Sequence, residues 1–109
     1  MKIHCECGKI LHDQADNLPH MAHFIPDEDW LGVLEAMDQV VSDVAARRLT
    51  VEAAQMAVRR VQIQASRHMY QCDKCGRLFV DDRQRNANIY APASDKASKQ
   101  VLRGRDQAA

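Results

Sequence analysis

Four cysteines stand in two close pairs, Cys5-Glu6-Cys7-Gly8-Lys9 and Cys72-Asp73-Lys74-Cys75-Gly76-Arg77. Each pair ends in Cys-Gly followed by a basic residue, and a short apolar stretch follows each, Ile10-Leu11 and Leu78-Phe79-Val80. The two segments read as copies of one unit, the knuckle. In it two thiolates chelate a metal ion from a tight turn, backbone N–H groups hydrogen-bond the sulfurs, and Gly supplies the positive φ that closes the turn. The pattern predicts one structural Zn2+ held by Cys5, Cys7, Cys72 and Cys75. The basic residue after each knuckle offsets the charge of four thiolates. Two disulfides suit an oxidising compartment rather than a cytosolic chain. A redox Cys-x-x-Cys would open a helix, whereas here a β-prone stretch follows. Cys5-x-Cys7 is one residue tighter than the usual spacing, which leaves His4 as the alternative ligand to one of the sulfurs.

Four thiolates close a zinc site, leaving no open position for water or substrate. Such a site stabilises and does no chemistry, contributing on the order of 10 kcal/mol to folding. The composition calls for that staple. In 109 residues, 46% are hydrophobic, but fifteen are alanine and only 5% are aromatic, so the core is thin. No apolar run approaches the roughly 20 residues of a membrane span. The start, Met1-Lys2-Ile3-His4-Cys5, carries no apolar signal region, so a cytoplasmic location is expected.

The elements that must bring the sulfurs together follow from the 64 residues between Cys7 and Cys72. Ile10 to Ile25 reads as loop with short β-prone pieces and a turn at Asn17-Leu18-Pro19. Pro26 then starts a helix, with Asp27, Glu28 and Asp29 on its electropositive first turn. Trp30, Leu34, Met37, Val41 and Val44 recur at helical spacing, widened by Leu31, Val33 and Val40. A break falls near Arg47-Arg48-Leu49, with Thr50 as the next N-cap. The second helix presents Val51, Ala54, Val58, Val61, Ala65 and Met69, and is expected to run straight into the second knuckle. One continuous helix over this region would be about 60 Å long and would part the knuckles, so the helices must form an antiparallel hairpin. Trp30, the only tryptophan, is expected to be a buried anchor between hairpin and ribbon. Strands are expected at Leu78–Val80 and Asn88–Tyr90, and a short tail helix ending at Gly104.

The expected fold is therefore α+β: a small four-Cys zinc ribbon of short antiparallel strands with an inserted antiparallel helical hairpin. It forms a single domain, with ribbon halves 1–25 and 70–92, the hairpin insert 27–69 and a flexible C-terminal tail 93–109.

Other constellations are weaker. His12, His20 and His23 lie near Asp16, but on loop or strand, where helical spacing does not converge them; His68 reads as a packing or capping residue. No phosphate loop, serine nucleophile motif or His-Glu-x-x-His is present, so an enzyme is not expected. Leu49-Thr50-Val51-Glu52 resembles the opening of a helix-turn-helix, but one long helix follows. The net charge of zero hides a split: residues 1–45 sum to −7 and residues 46–109 to +7. Either oppositely charged helices pair internally, or one face presents a single sign to a partner. In the second case Glu35, Asp38 and Asp43 are the candidate partner-binding groups, followed by Asp81 and Asp82.

The frame Cys5-x-Cys7-Gly8-Lys9, Asn17-Leu18-Pro19, Ala22-His23-Phe24-Ile25-Pro26-Asp27 with Asp29-Trp30, and Tyr70-Gln71-Cys72-x-x-Cys75-Gly76-Arg77 resembles small bacterial zinc-ribbon proteins. Some of these are similar to contact-dependent growth inhibition immunity proteins. The resemblance implies a non-enzymatic module that binds a protein partner and neutralises a toxin domain, such as a nuclease. The alternative is a zinc-ribbon nucleic-acid binder or small regulator.

Overall fold

The computed structural model describes residues 2–105. In chain order its elements are β1 (Lys2–His4), β2 (Ile10–His12), β3 (Met21–Phe24), α1 (Asp27–Ala45), α2 (Val51–Ala65), β4 (Arg67–Gln71), β5 (Leu78–Asp81) and β6 (Ala87–Tyr90). The architecture is α+β. β1 and β2 pair antiparallel, with Ile3 opposite Leu11. The second sheet runs β3-β4-β5-β6, with Tyr70 opposite Phe79 and Phe79 opposite Ile89 in its antiparallel pairs. The chain divides into two compact units: residues 2–23 with 68–105, and residues 24–67.

In the first unit the core is small and built around sulfur. Cys5, Leu11, Tyr70, Cys72 and Phe79 are buried, with Ile3, Cys7, Met21 and Cys75 packed against them. Alternation does the sorting. In β2 only the middle residue, Leu11, turns inward, and across β4–β5 the buried pair is Tyr70 and Phe79. The β5–β6 turn is closed by Asp82, whose carboxylate accepts from the amides of Gln84 at 2.9 Å and Asn86 at 3.0 Å.

In the second unit α1 and α2 lie antiparallel. One end of the groove between them joins Val40, Val41 and Val44 to Val51, Ala54 and Val58; the other joins Gly32, Val33 and Ala36 to Val61 and Ala65. α1 ends in a Schellman motif. The Arg48 amide donates to the Asp43 carbonyl at 2.8 Å and the Arg47 amide to Val44 at 3.0 Å, with Arg47 in the left-handed region at φ 61°. α2 starts where Thr50 Oγ1 accepts from the Ala53 amide at 3.1 Å.

Four expectations are corrected. The second helix stops at Ala65, and residues 67–71 are strand β4 instead, so Met69 belongs to the sheet. Nothing local breaks the helix there; pairing with β3 on one side and β5 on the other decides it. The buried α1 residues are Val33 and Val40, whereas Trp30, Leu31, Leu34 and Val41 are exposed. A two-helix unit offers each helix one neighbour, too little to cover so wide an apolar stripe. Trp30 is 48% exposed and is not a buried anchor. The stretch 93–105 forms turns rather than a helix ending at Gly104. Within it, Ser98 and Val101 hydrogen-bond the Gln71 side chain of β4. Residues 106–109, where fraying is expected, lie outside the described residues.

Candidate metal centre

Each hairpin ends in a knuckle, and the two close by the same pair of bonds. In the first, the Cys5 amide donates to the Lys9 carbonyl and the Gly8 amide to the Cys5 carbonyl, both at 2.9 Å. In the second, the Cys72 amide donates to Arg77 at 3.0 Å and the Gly76 amide to Cys72 at 2.7 Å. Gly8 and Gly76 both sit at positive φ, 97° and 84°. The first knuckle reaches the same closure with one residue fewer, so the tight Cys5-x-Cys7 spacing leaves its geometry intact.

The knuckles bring four sulfurs together. Cys5 Sγ lies 3.4 Å from Cys75 Sγ, Cys7 Sγ lies 3.4 Å from Cys72 Sγ, and all four fall within 4.8 Å of one another. None is in a disulfide. A tetrahedral ion with metal–sulfur bonds of about 2.3 Å needs sulfurs about 3.8 Å apart, so the donor set fits a metal ion. His4 is exposed on β1 and is not one of this group.

The electrostatics suit thiolates. The Lys9 amide holds the Cys7 thiol below its ordinary range. At Cys75 burial pushes upward, but the Arg77 amide, the Cys5 sulfur and the Arg77 guanidinium outweigh it and hold the thiol at about 6. Burial pushes Cys5 up to about 12 and raises Cys72. Each close sulfur pair thus joins one thiol that ionises easily to one that resists. Cations from both knuckles gather round. Arg77 Nη1 donates to Cys75 Sγ at 3.3 Å while its Nη2 lies 3.7 Å from Glu6. Lys74 Nζ donates to the Cys7 carbonyl at 3.4 Å, and Lys9 pairs with Asp73 across the knuckles.

The match to a family falls on this same frame. The sequence model of a family described as a domain of unknown function, DUF8617, matches residues 1–94. The chain belongs to the DUF8617 family. No curated protein and no solved structure matches it. The DUF8617 match takes in both knuckles and both helices, and stops before Ser98 and Val101.

The candidate partner carboxylates have separate fates. Glu35 and Asp38 are exposed on α1 and make no ion pair among the described residues. Asp43 is engaged at the end of α1, accepting from Gln39 Nε2 and Arg48 Nε, each at 3.0 Å. Asp81 accepts from the His68 amide at 3.4 Å, and Asp82 is occupied by the β5–β6 turn. No ion pair joins the carboxylates of α1 to Arg59 or Arg60 of α2 among the described residues.

The histidines do not converge on a ligand. His20 Nε2 donates to the His12 carbonyl at 2.7 Å. The His23 ring packs edge-on to His68 at 4.9 Å, and the Tyr70 hydroxyl lies 3.5 Å from His68 Nδ1.

Sequence reasoning missed Gln71, which is 2% exposed. Its Nε2 donates to the Gly76 carbonyl at 3.2 Å and to Ser98 at 3.0 Å, and its Oε1 accepts from the Val101 amide at 2.7 Å. One buried amide thus joins the second knuckle to residues 98–101. A glutamine in a strand carries no sequence signal for that role.

Proposed function

We propose that this DUF8617 chain is a cytoplasmic zinc ribbon acting as a non-enzymatic protein-binding module, an immunity protein that binds and neutralises a toxin. Four soft thiolates at tetrahedral separations favour Zn2+, and they saturate it, so the metal stabilises rather than reacts. The observation that carries the binding reading is the acidic edge of α1. Glu35 and Asp38 are exposed and without ion-pair partners among the described residues, while the neighbouring Asp43 is occupied within the fold. Unpaired carboxylates complement the Lys and Arg that line a nuclease's substrate site, and they speed encounter.

The test is to read the neighbouring gene and, where it encodes a secreted toxin, to co-express that toxin with this chain. Rescue of growth by the wild-type chain, lost with Glu35→Lys, supports the reading. No rescue, together with binding of the purified chain to RNA or DNA, replaces it with a zinc-ribbon nucleic-acid binder.

A further inference from the structure

The hairpin leaves one long face uncovered. Trp30, Leu34 and Val41 follow one another on α1 at helical spacing, and Val51 continues the face onto α2. Their exposures are 48%, 38%, 67% and 57%. Between the helices runs an apolar groove of about 570 Å³, lined in part by Val41, Val44, Val51 and Val58. An apolar face of this extent marks an interaction surface.

We propose that a second copy of this chain covers it, the two hairpins packing face to face with α1 of each over α2 of the other. Three observations select this occupant. The first is charge. α1 carries carboxylates on the outer edge of the face and α2 carries Arg59 on its own outer edge, with no ion pair between the helices of one copy among the described residues.

The second is register. Gln62 Nε2 reaches Met37 Sδ at 3.7 Å, which sets Asp38 within a helical turn of the level of Arg59. A two-fold axis along the bundle preserves levels and lays α1 of one copy antiparallel over α2 of the other. Asp38 then meets Arg59 of the other copy twice, as an isologous interface requires. Leu31 and Ile63, exposed at 64% and 69%, lie along the same edges and extend the apolar face.

The third is area. The exposed side chains of the face amount to on the order of 600 Å² per copy, so two copies bury on the order of 1,200 Å², within the range of specific interfaces. The product is a four-helix bundle, in which each apolar stripe gains the second neighbour that one hairpin lacks. The inference does not depend on a toxin, since the dimer forms from this chain alone; it takes up Asp38, while Glu35, further round α1 from the apolar face, is left for a partner.

The experiment is sedimentation equilibrium of the full chain, with helical circular dichroism as the check on folding. Wild type is expected to sediment at twice its 12.3 kDa mass at a concentration on the order of 100 µM. Asp38→Arg should weaken the dimer by about tenfold or more with helicity unchanged, and Asp38→Arg with Arg59→Asp should restore it. Leu34→Glu should abolish it. A wild-type monomer at that concentration overturns the proposal. So does a dimer that either single variant leaves intact, or one that the double exchange fails to restore.

Discussion

Val101 donates its amide to Gln71 Oε1 across 2.7 Å, although the two residues are 30 apart in the chain. With the bonds from Nε2 to Ser98 and Gly76, this makes residues 98–101 a strap over the second knuckle rather than a free end. Gln71→Ala should cost about 2–3 kcal/mol, because buried bonds are lost and their partners must find water. Denaturant midpoints read that loss, and limited proteolysis should show faster cleavage within residues 93–101. Unchanged cleavage there would mean that the strap is held by other contacts.

Metal binding should be strongly pH-dependent. Cys5 is pushed up to about 12 and Cys72 is also raised, so both hold protons at neutral pH that a metal must displace. Affinity therefore rises with pH, by up to about a hundredfold per unit where two protons are released. Competition against a chromophoric chelator between pH 6 and pH 8 measures the slope. Elemental analysis should give one zinc per chain, and well under one after Cys72→Ser.

The two knuckle glycines should not tolerate alanine equally. At Gly8 a Cβ meets nothing within 4 Å, so the cost is the left-handed backbone alone, about 1 kcal/mol. At Gly76 the Cβ would sit 2.8 Å from Pro92 Cγ as well. Gly76→Ala should therefore destabilise more than Gly8→Ala in thermal melts of the metal-loaded protein. Equal shifts would show that Pro92 moves aside at no cost.

The turn between the helices rests on two side chains. Thr50→Ala removes the N-cap of α2 and should cost about 1 kcal/mol. Asp43 titrates below the ordinary carboxylate range because Gln39 and Arg48 donate to it. A depressed carboxylate stabilises the fold above its unfolded value, and that contribution disappears as pH falls through its folded value. Asp43→Asn should thus be less stable than wild type at pH 7, the gap closing in acid. A gap that persists below pH 2 would assign the difference to packing instead.

Local chemistry was legible in the sequence, and competition between segments was not. Pro26 with Asp27 to Asp29, and Thr50 with its cap, act on neighbours a few residues away, and both helix starts fall where those residues place them. The four cysteines were legible because paired thiols carry their own geometric demand. The end of α2 was not. Arg67 to Gln71 continues an acceptable helical pattern, and only β3 and β5, both outside that local pattern, recruit it into a sheet. Trp30 misled for a related reason. Periodicity identifies an apolar stripe but not how many neighbours are present to cover it. Gln71 was invisible because its three partners lie in the knuckle and strap, brought together only by the finished fold.

The antiparallel hairpin has a consequence for the order of folding. The sulfurs of Cys7 and Cys72 are separated by 64 residues, a long loop for a metal to close. α1 and α2 form from neighbouring residues, and once packed they return the chain close to where it left. Only residues 8–26 and 66–71 then remain slack, which lowers the entropic cost of closure by about 0.8 kcal/mol. Contacts within the hairpin are local and form fast, whereas those between the knuckles are distant and slow. Helix signal should therefore develop before metal uptake during refolding, with the ion captured last.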